Sequence, residues 1–260
     1  MNSDRAARAT HAADTDVPAT SRRSKAKAQA LRAANSRRVL RKIVNAFDSA
    51  IVRVYCRGRF IILHQRFLEE IGQYLPESGP ILDIGCGFGL FSLYYAQQGP
   101  ERRITGVDLN TTRIEYARRA AARLGITNVD YRVGNATEFH PPGGLACAYM
   151  LDIIHHIDRA SAGRLLDELH DALVPGGLLI VKDVTTTPSY KRWFTWLLDK
   201  GMDMRAPVDY WPKDELEARL RQSGFVVHSH AMLDVLPYPH QLYLCRKGPS
   251  RDGPCDVTNA

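Results

Sequence analysis

At 260 residues, with 45% hydrophobic and 24% charged residues, the chain is long enough for one or two domains with a substantial buried core. Its net charge of +7 sits at one end: residues 1–42 hold 11 Lys/Arg against 3 Asp/Glu, whereas the remaining 218 hold 24 against 25, so a basic nucleic-acid-binding face on the body is not expected. The five cysteines (Cys56, Cys86, Cys147, Cys245, Cys255) have neither zinc-site nor disulfide-framework spacing, and no run of 18 apolar residues occurs, so the expected setting is the reducing cytoplasm, without a membrane span or secretory signal.

Residues 1–36 are rich in Ala, Arg, Ser and Thr and poor in large apolar side chains, the composition of a disordered basic tail. Over 37–55, Val39, Leu40, Ile43, Val44, Phe47, Ile51 and Val54 recur at helical spacing beside Arg37, Arg38, Arg41 and Lys42. Such a basic amphipathic helix suits two roles, a lid packed on the domain or a peripheral contact with an anionic membrane surface. Gly58 is expected to end it, and Phe60–Leu75 to form a second helix before Pro76, Gly79 and Pro80, giving a helical lid over 37–76.

The domain proper is expected over 77–247. Ile81-Leu82-Asp83-Ile84 reads as a buried strand, Gly85-Cys86-Gly87-Phe88-Gly89 as a turn, and Leu90 onward as a helix. Glycines there let backbone approach a ligand closely. The sixth place of G-x-G-x-x-G is Leu90, which departs from the dinucleotide fingerprint. A second strand, 103–109, carries Asp108, placed where a carboxylate can accept ribose hydroxyls. A helix over 111–124 capped by Asn110 or Thr111, a strand over 129–133 and the turn Gly134-Asn135-Ala136 follow. The fourth strand, Leu145–Leu151, runs into Asp152-Ile153-Ile154-His155-His156. After a helix over 160–173, Leu173-Val174-Pro175-Gly176-Gly177 is expected to turn into a fifth strand, Leu178–Val184. Trp193, Trp196 and Trp211 all fall within 188–212, an aromatic cap whose helix, 190–200, covers the sheet or lines an acceptor pocket. Helix 213–223 and strands 225–233 and 241–245 close the domain, and 248–260 is a polar tail in which no order is expected.

Asp83-x-Gly85-x-Gly87-x-Gly89, the acid Asp108, Gly134-Asn135-Ala136 and Leu173-x-Pro-Gly-Gly, in this order, resemble the motifs of class I S-adenosylmethionine (SAM) methyltransferases over roughly residues 81–184. The resemblance implies an α/β Rossmann-like sheet of seven strands in the order 3-2-1-4-5-7-6 with the last strand antiparallel, and helices on both faces. It implies a SAM site at Asp83, Gly85, Cys86, Gly87, Gly89, Asp108, Leu109, Asn135, Ala136 and Leu151, with Asp83 facing the cationic methionine end. Asn135 departs from the usual acid of the adenine loop; its amide oxygen can still accept from the adenine amino group. An O- or C-methylated acceptor needs its proton removed, and His155 and His156 are the candidate bases because imidazole titrates near neutrality. Asp152 and Asp183 are weaker alternatives.

No Asn/Asp-Pro-Pro-aromatic follows the fourth strand, and no Pro-Cys pair offers a nucleophile within the domain, where Cys147 lies inside a strand, so neither the amino-methylating nor the cytosine-5 signature appears there. Three functions remain open: methylation of a small, aromatic or lipid-like acceptor, methylation of RNA or protein held by the basic tail, and SAM binding without catalysis. No metal is expected.

Overall fold

The computed structural model describes residues 35–62, 65–184, 209–232 and 240–248. Residues 1–34, the helix expected over 190–200, most of the aromatic cap and the C-terminal tail lie outside the described residues. Contacts divide the chain into two units, Met1–Arg38 and Val39–Ala260, and all that follows concerns the second.

The apolar runs pair into one sheet: β1 (Gly79–Ile84), β2 (Arg102–Asp108), β3 (Val129–Val133), β4 (Leu145–Leu151), β5 (Leu173–Val184), β6 (Phe225–Ala231) and β7 (His240–Lys247). Their order is β3-β2-β1-β4-β5-β7-β6. The first five strands are parallel, and β7 runs antiparallel to both β5 and β6. Strand order reverses between β1 and β4, so the carboxyl ends of these two strands flank the crevice where a doubly wound sheet binds ligands.

The helices are α1 (the 39–46 part of a helix over residues 35–46), α2 (Ala50–Ile62), α3 (Gln65–Gly72), α4 (Leu90–Gln98), α5 (Thr111–Leu124), α6 (Arg159–Ala172) and α7 (Lys213–Gln222). Because strand side chains alternate in direction, β1, β4 and β5 each feed two cores. Ile81, Tyr149 and Ile180 join the core containing residues of α1 to α5; Leu82, Met150 and Val181 join the core with α6 and α7.

The second lid helix, expected over Phe60–Leu75, runs only over Gln65–Gly72, since Phe60 ends up in α2; two further differences from the sequence expectation have a visible cause. The helix expected over 37–55 stops at residue 46 and restarts at Ala50, then continues through Gly58, where nothing would crowd an added Cβ. The break is stabilised from outside: Asp48 is held by Arg119 and Arg123 of α5 at 3.1 and 3.4 Å, Phe47 is buried, and Arg53 donates to the Phe47 carbonyl at 2.9 Å. The turn expected at Leu173–Gly177 is instead the first part of β5. Leu145 pairs with Leu173 but Cys147 with Leu178, so the extra residues bulge out of the ladder. Gly176 has φ +76, and a Cβ on Gly177 would lie 2.8 Å from the Val174 carbonyl oxygen.

Candidate active site

The loop after β1 has a fixed shape. Gly85, Gly87 and Gly89 all have positive φ, +74, +56 and +72. A Cβ on Gly85 would lie 2.8 Å from Ile153 Cγ1, and one on Gly89 would lie 2.6 Å from Tyr131 Cζ, whereas one on Gly87 would meet nothing within 4 Å. Gly85 and Gly89 are thus glycine for packing, and Gly87 leaves open space over the loop. The N–H groups of Gly85 and Cys86 donate to the Val107 carbonyl, that of Gly89 to the Cys86 carbonyl and that of Gly87 to Asp108 Oδ2 at 2.8 Å. A phosphate cradle presents such N–H groups to its ligand; here these four are spent on shaping the loop.

Asp108 ends β2 and is buried. Oδ2 accepts from Gly87 and Oδ1 accepts from the Asn110 N–H at 2.9 Å. Each carboxylate oxygen has a second lone pair, which suits a vicinal diol held beside the loop. Leu109 follows with its side chain 70% exposed, an uncovered apolar surface next to the helix cap formed by Asn110 on Arg113. On the same side of the crevice, after β3, Asn135 closes a small turn: its Oδ1 accepts from the Thr137 N–H and its Nδ2 donates to Glu138 Oε1, both at 3.1 Å. An acid at position 135 would face the Glu138 carboxylate, so the amide compensates that neighbour and ties a carboxylate to this turn. Ala136 is half-buried beside it, and Cys86 and Leu151 are buried.

Asp83 lies behind the loop, fully enclosed. Its Oδ2 accepts from Ser92 Oγ at 2.5 Å and Tyr149 Oη at 3.0 Å. Burial pushes its carboxyl up to about 7, against the lowering influence of both hydroxyls. Burial likewise raises the thiols: Cys56 to about 12, and Cys86, Cys147 and Cys245 well above the ordinary range. None of the four described cysteines is therefore an activated nucleophile.

The two histidines sit on a short 3-10 turn, Ile154–His156, past β4. His155 is 3% exposed, with its Nδ1 2.5 Å from Asp183 Oδ1 and its N–H donating to Asp183 Oδ2 at 3.2 Å. Its carbonyl accepts from the Asp209 N–H at 2.8 Å, and the Tyr210 ring centroid lies 5.3 Å away. His156 is half-buried, its ring 4.1 Å from that of His155. The structure therefore joins His155 to Asp183 in one oriented pair and gives the solvent-facing place to His156.

Sequence reasoning missed one cluster. Asp152, the only described non-glycine residue with positive φ (+57), accepts from Lys182 Nζ at 2.5 Å and from Arg59 Nη2 at 2.9 Å. Burial would raise the Asp152 carboxyl, but Lys182 and then Arg59 outweigh it and hold it well below the usual carboxylate range. Asp152 is thus a fixed anion and a poor base. Lys182 is 1% exposed, and its Nζ lies 5.5 Å from the Phe67 ring centroid on α3. Its signal was a lysine interrupting the apolar run of β5. Arg59 carried none, because its partner is 93 residues away. Of the other histidines, His230 pairs with Glu70 at 2.6 Å and His240 packs on Phe67, as sheet-closing residues do. Among the described residues no group of His, Cys, Asp and Glu could hold a metal.

Residues 81–177 match the family described as a methyltransferase domain. A tRNA (guanine-N(7)-)-methyltransferase of Rubrobacter xylanophilus is 28% identical over 128 residues, 46% of this chain and 56% of that protein. A ubiquinone biosynthesis O-methyltransferase of Xylella fastidiosa is 32% identical over 170 residues, covering 60% and 65%. The chain thus spans less than two thirds of the length of these two relatives. A demethylmenaquinone methyltransferase of Symbiobacterium thermophilum is 26% identical over 226 residues, covering 76% and 87%. In fold, the chain is similar to a SAM-dependent methyltransferase from Methanosarcina mazei, with a TM-score of 0.58 and 22% identity over 70% of this chain and 98% of that one.

Proposed function

The chain carries a class I, SAM-dependent methyltransferase domain, and we propose that it transfers the methyl group to the oxygen or carbon of a small, aromatic or lipid-like acceptor. The observation that carries this reading is the crevice between β1 and β4, with the shaped glycine loop and Asp108 on one wall and the His155-His156 turn on the other. The names of two relatives, which speak of ubiquinone biosynthesis and of demethylmenaquinone, favour acceptors of this kind.

The residues fit SAM. Gly87 leaves room for close approach, Asp108 has lone pairs for the ribose hydroxyls, and exposed Leu109 offers an apolar face to a base whose edge meets Asn135 and Ala136. Bound there, SAM supplies an electrophilic methyl on a sulfonium. The chain's own contribution is orientation and removal of the acceptor's proton. Asp183 holds the buried His155 ring, and His155 in turn positions His156, the half-buried imidazole assigned as base. His155 is the positioning residue.

The test is transfer of a radioactive methyl group from SAM into an extract of the protein's own host, followed by separation of organic-soluble, nucleic-acid and protein fractions. Label in the organic fraction, lost in Asp108→Ala, is the expected result. His156→Ala should lower kcat at unchanged SAM affinity and abolish the limb of the pH profile that reports the base, whereas His155→Gln should lower kcat and keep that limb. Label in RNA would overturn the small-acceptor reading in favour of the second one, a nucleic-acid acceptor, which the tRNA-methylating relative and the +8 charge of residues 1–42 support.

A further inference from the structure

Helices α1 and α2 form a surface that the methyl-transfer site does not use. Val52 and Cys56 of α2 are buried and Tyr55 packs on Phe88 of the glycine loop, with ring centroids 5.2 Å apart. The opposite face of α2 is apolar and uncovered, with Ile51 82% and Val54 66% exposed. Arg57 lies one turn beyond Val54. There a cavity of about 500 Å³ opens between the two helices, lined by Leu40, Val44, Phe60, Asn45, Arg41 and Arg57. Its floor is apolar and its rim carries two guanidinium groups.

The charges around this face have one sign. Between residues 39 and 62 there are five cations, Arg41, Lys42, Arg53, Arg57 and Arg59, and one acid, Asp48. Arg59 is bound to Asp152, Arg53 to backbone carbonyls, and Asp48 is neutralised by Arg119 and Arg123. That leaves Arg41, Lys42 and Arg57 exposed on α1 and α2, with no acid paired to them among the described residues. A second copy of the same face would bring like charges together, whereas an anionic lipid surface is complementary to both the stripe and its rim.

We propose that the α1–α2 face docks on an anionic phospholipid bilayer, Ile51 and Val54 entering the interface, Arg41, Lys42 and Arg57 meeting headgroup phosphates, and an acyl chain occupying the cavity. This reading is independent of the methyl-transfer assignment, because SAM binding is measured separately in every variant.

The full chain is tested by cosedimentation with phosphatidylcholine vesicles containing or lacking phosphatidylglycerol, at low and high salt. Arg41→Gln with Arg57→Gln removes two rim charges and is expected to weaken binding to acidic vesicles by roughly twentyfold, with a shallower salt dependence. Ile51→Ser with Val54→Ser is expected to weaken it by roughly tenfold while leaving the salt dependence unchanged. All four side chains lie on the surface or cavity rim, and wild-type SAM affinity confirms the fold of each variant. Wild-type-like binding by both variants would overturn the proposal and assign lipid contact to the cations of residues 1–34. Equal binding to neutral and acidic vesicles, or no binding by the wild type, would overturn it too. So would loss of a dimer in sedimentation velocity on Ile51→Ser/Val54→Ser with vesicle binding unchanged, since the stripe then serves a second copy.

Discussion

Lys182→Met probes the charge cluster that joins the N-terminal helices to the end of β4. Methionine keeps most of the lysine stem, so the packing against Phe67 survives and the change is chiefly one of charge. Lys182 is 1% exposed and Asp152 has 11% of its side chain exposed, so their 2.5 Å contact is a buried ion pair. Removing one partner of such a pair costs about 3–5 kcal/mol, because the other charge stays buried. Asp152 retains Arg59 at 2.9 Å, itself 21% exposed, which places the expected loss at the lower end, about 3 kcal/mol. For a domain of this size that is a fall in Tm of roughly 6–12 °C. The sign with pH follows from Asp152, whose folded carboxyl titrates below its unfolded value. Its stabilisation is present above the unfolded carboxylate pKa and is lost as pH falls through the lower, folded one. The gap between wild type and variant should therefore hold from pH 5 to 8 and narrow only in strong acid. Urea unfolding followed by circular dichroism measures it, and Asp152→Asn with the double variant completes a cycle. The double variant should cost less than the two singles together by about 2 kcal/mol or more. A loss under about 1 kcal/mol for Lys182→Met, or strict additivity in the cycle, would refute the buried-pair account.

The glycine loop separates folding from ligand binding. Gly87→Ala should cost only the left-handed strain, about 1–2 kcal/mol in urea unfolding, yet weaken SAM binding in calorimetry, because its Cβ enters open space above the loop. Gly89→Ala should cost more stability than Gly87→Ala, since Tyr131 must also move. Asp83 offers a proton-linked test. Its carboxyl is raised to about 7 in the folded chain, so the folded state binds the proton more tightly and stability declines as pH rises from the unfolded value to about 7. Asp83→Asn should lack that decline, its advantage over wild type growing between pH 5 and 8. If Asp83 faces the cationic end of SAM, binding near pH 6.5 should release a proton, seen as a binding enthalpy that changes with the buffer's ionisation enthalpy. Equal enthalpies in two buffers would remove Asp83 from contact with the cation.

Much of this protein is legible locally. Apolar runs bounded by glycine and proline mark the strands, the loop glycines announce positive φ, and α5 is capped by the Asn110 side chain at its start and by the left-handed backbone of Gly125 at its end. The strand order came by resemblance to known motifs, and the sheet has that order. Other features depend on partners remote in sequence. Ser49 is a local start signal for α2, its Oγ accepting from the Val52 N–H at 3.4 Å, but the end of α1 before it is held by the two arginines of α5 and the burial of Phe47. Leu-Val-Pro-Gly-Gly is turn-like by composition, but pairing of Leu173 with Leu145 draws it into β5 as a bulge. The histidine pair was visible as a motif, but not the division of labour: Asp183, 28 residues on, buries and fixes His155, leaving His156 half-exposed. Asp152 illustrates the limit most sharply. From sequence it is a spare carboxylate near a reaction centre and a candidate base. Lys182 and Arg59, brought in from 30 and 93 residues away, make it a fixed anion, because a charge's state is set by burial and by its neighbours in space, which only the folded chain supplies.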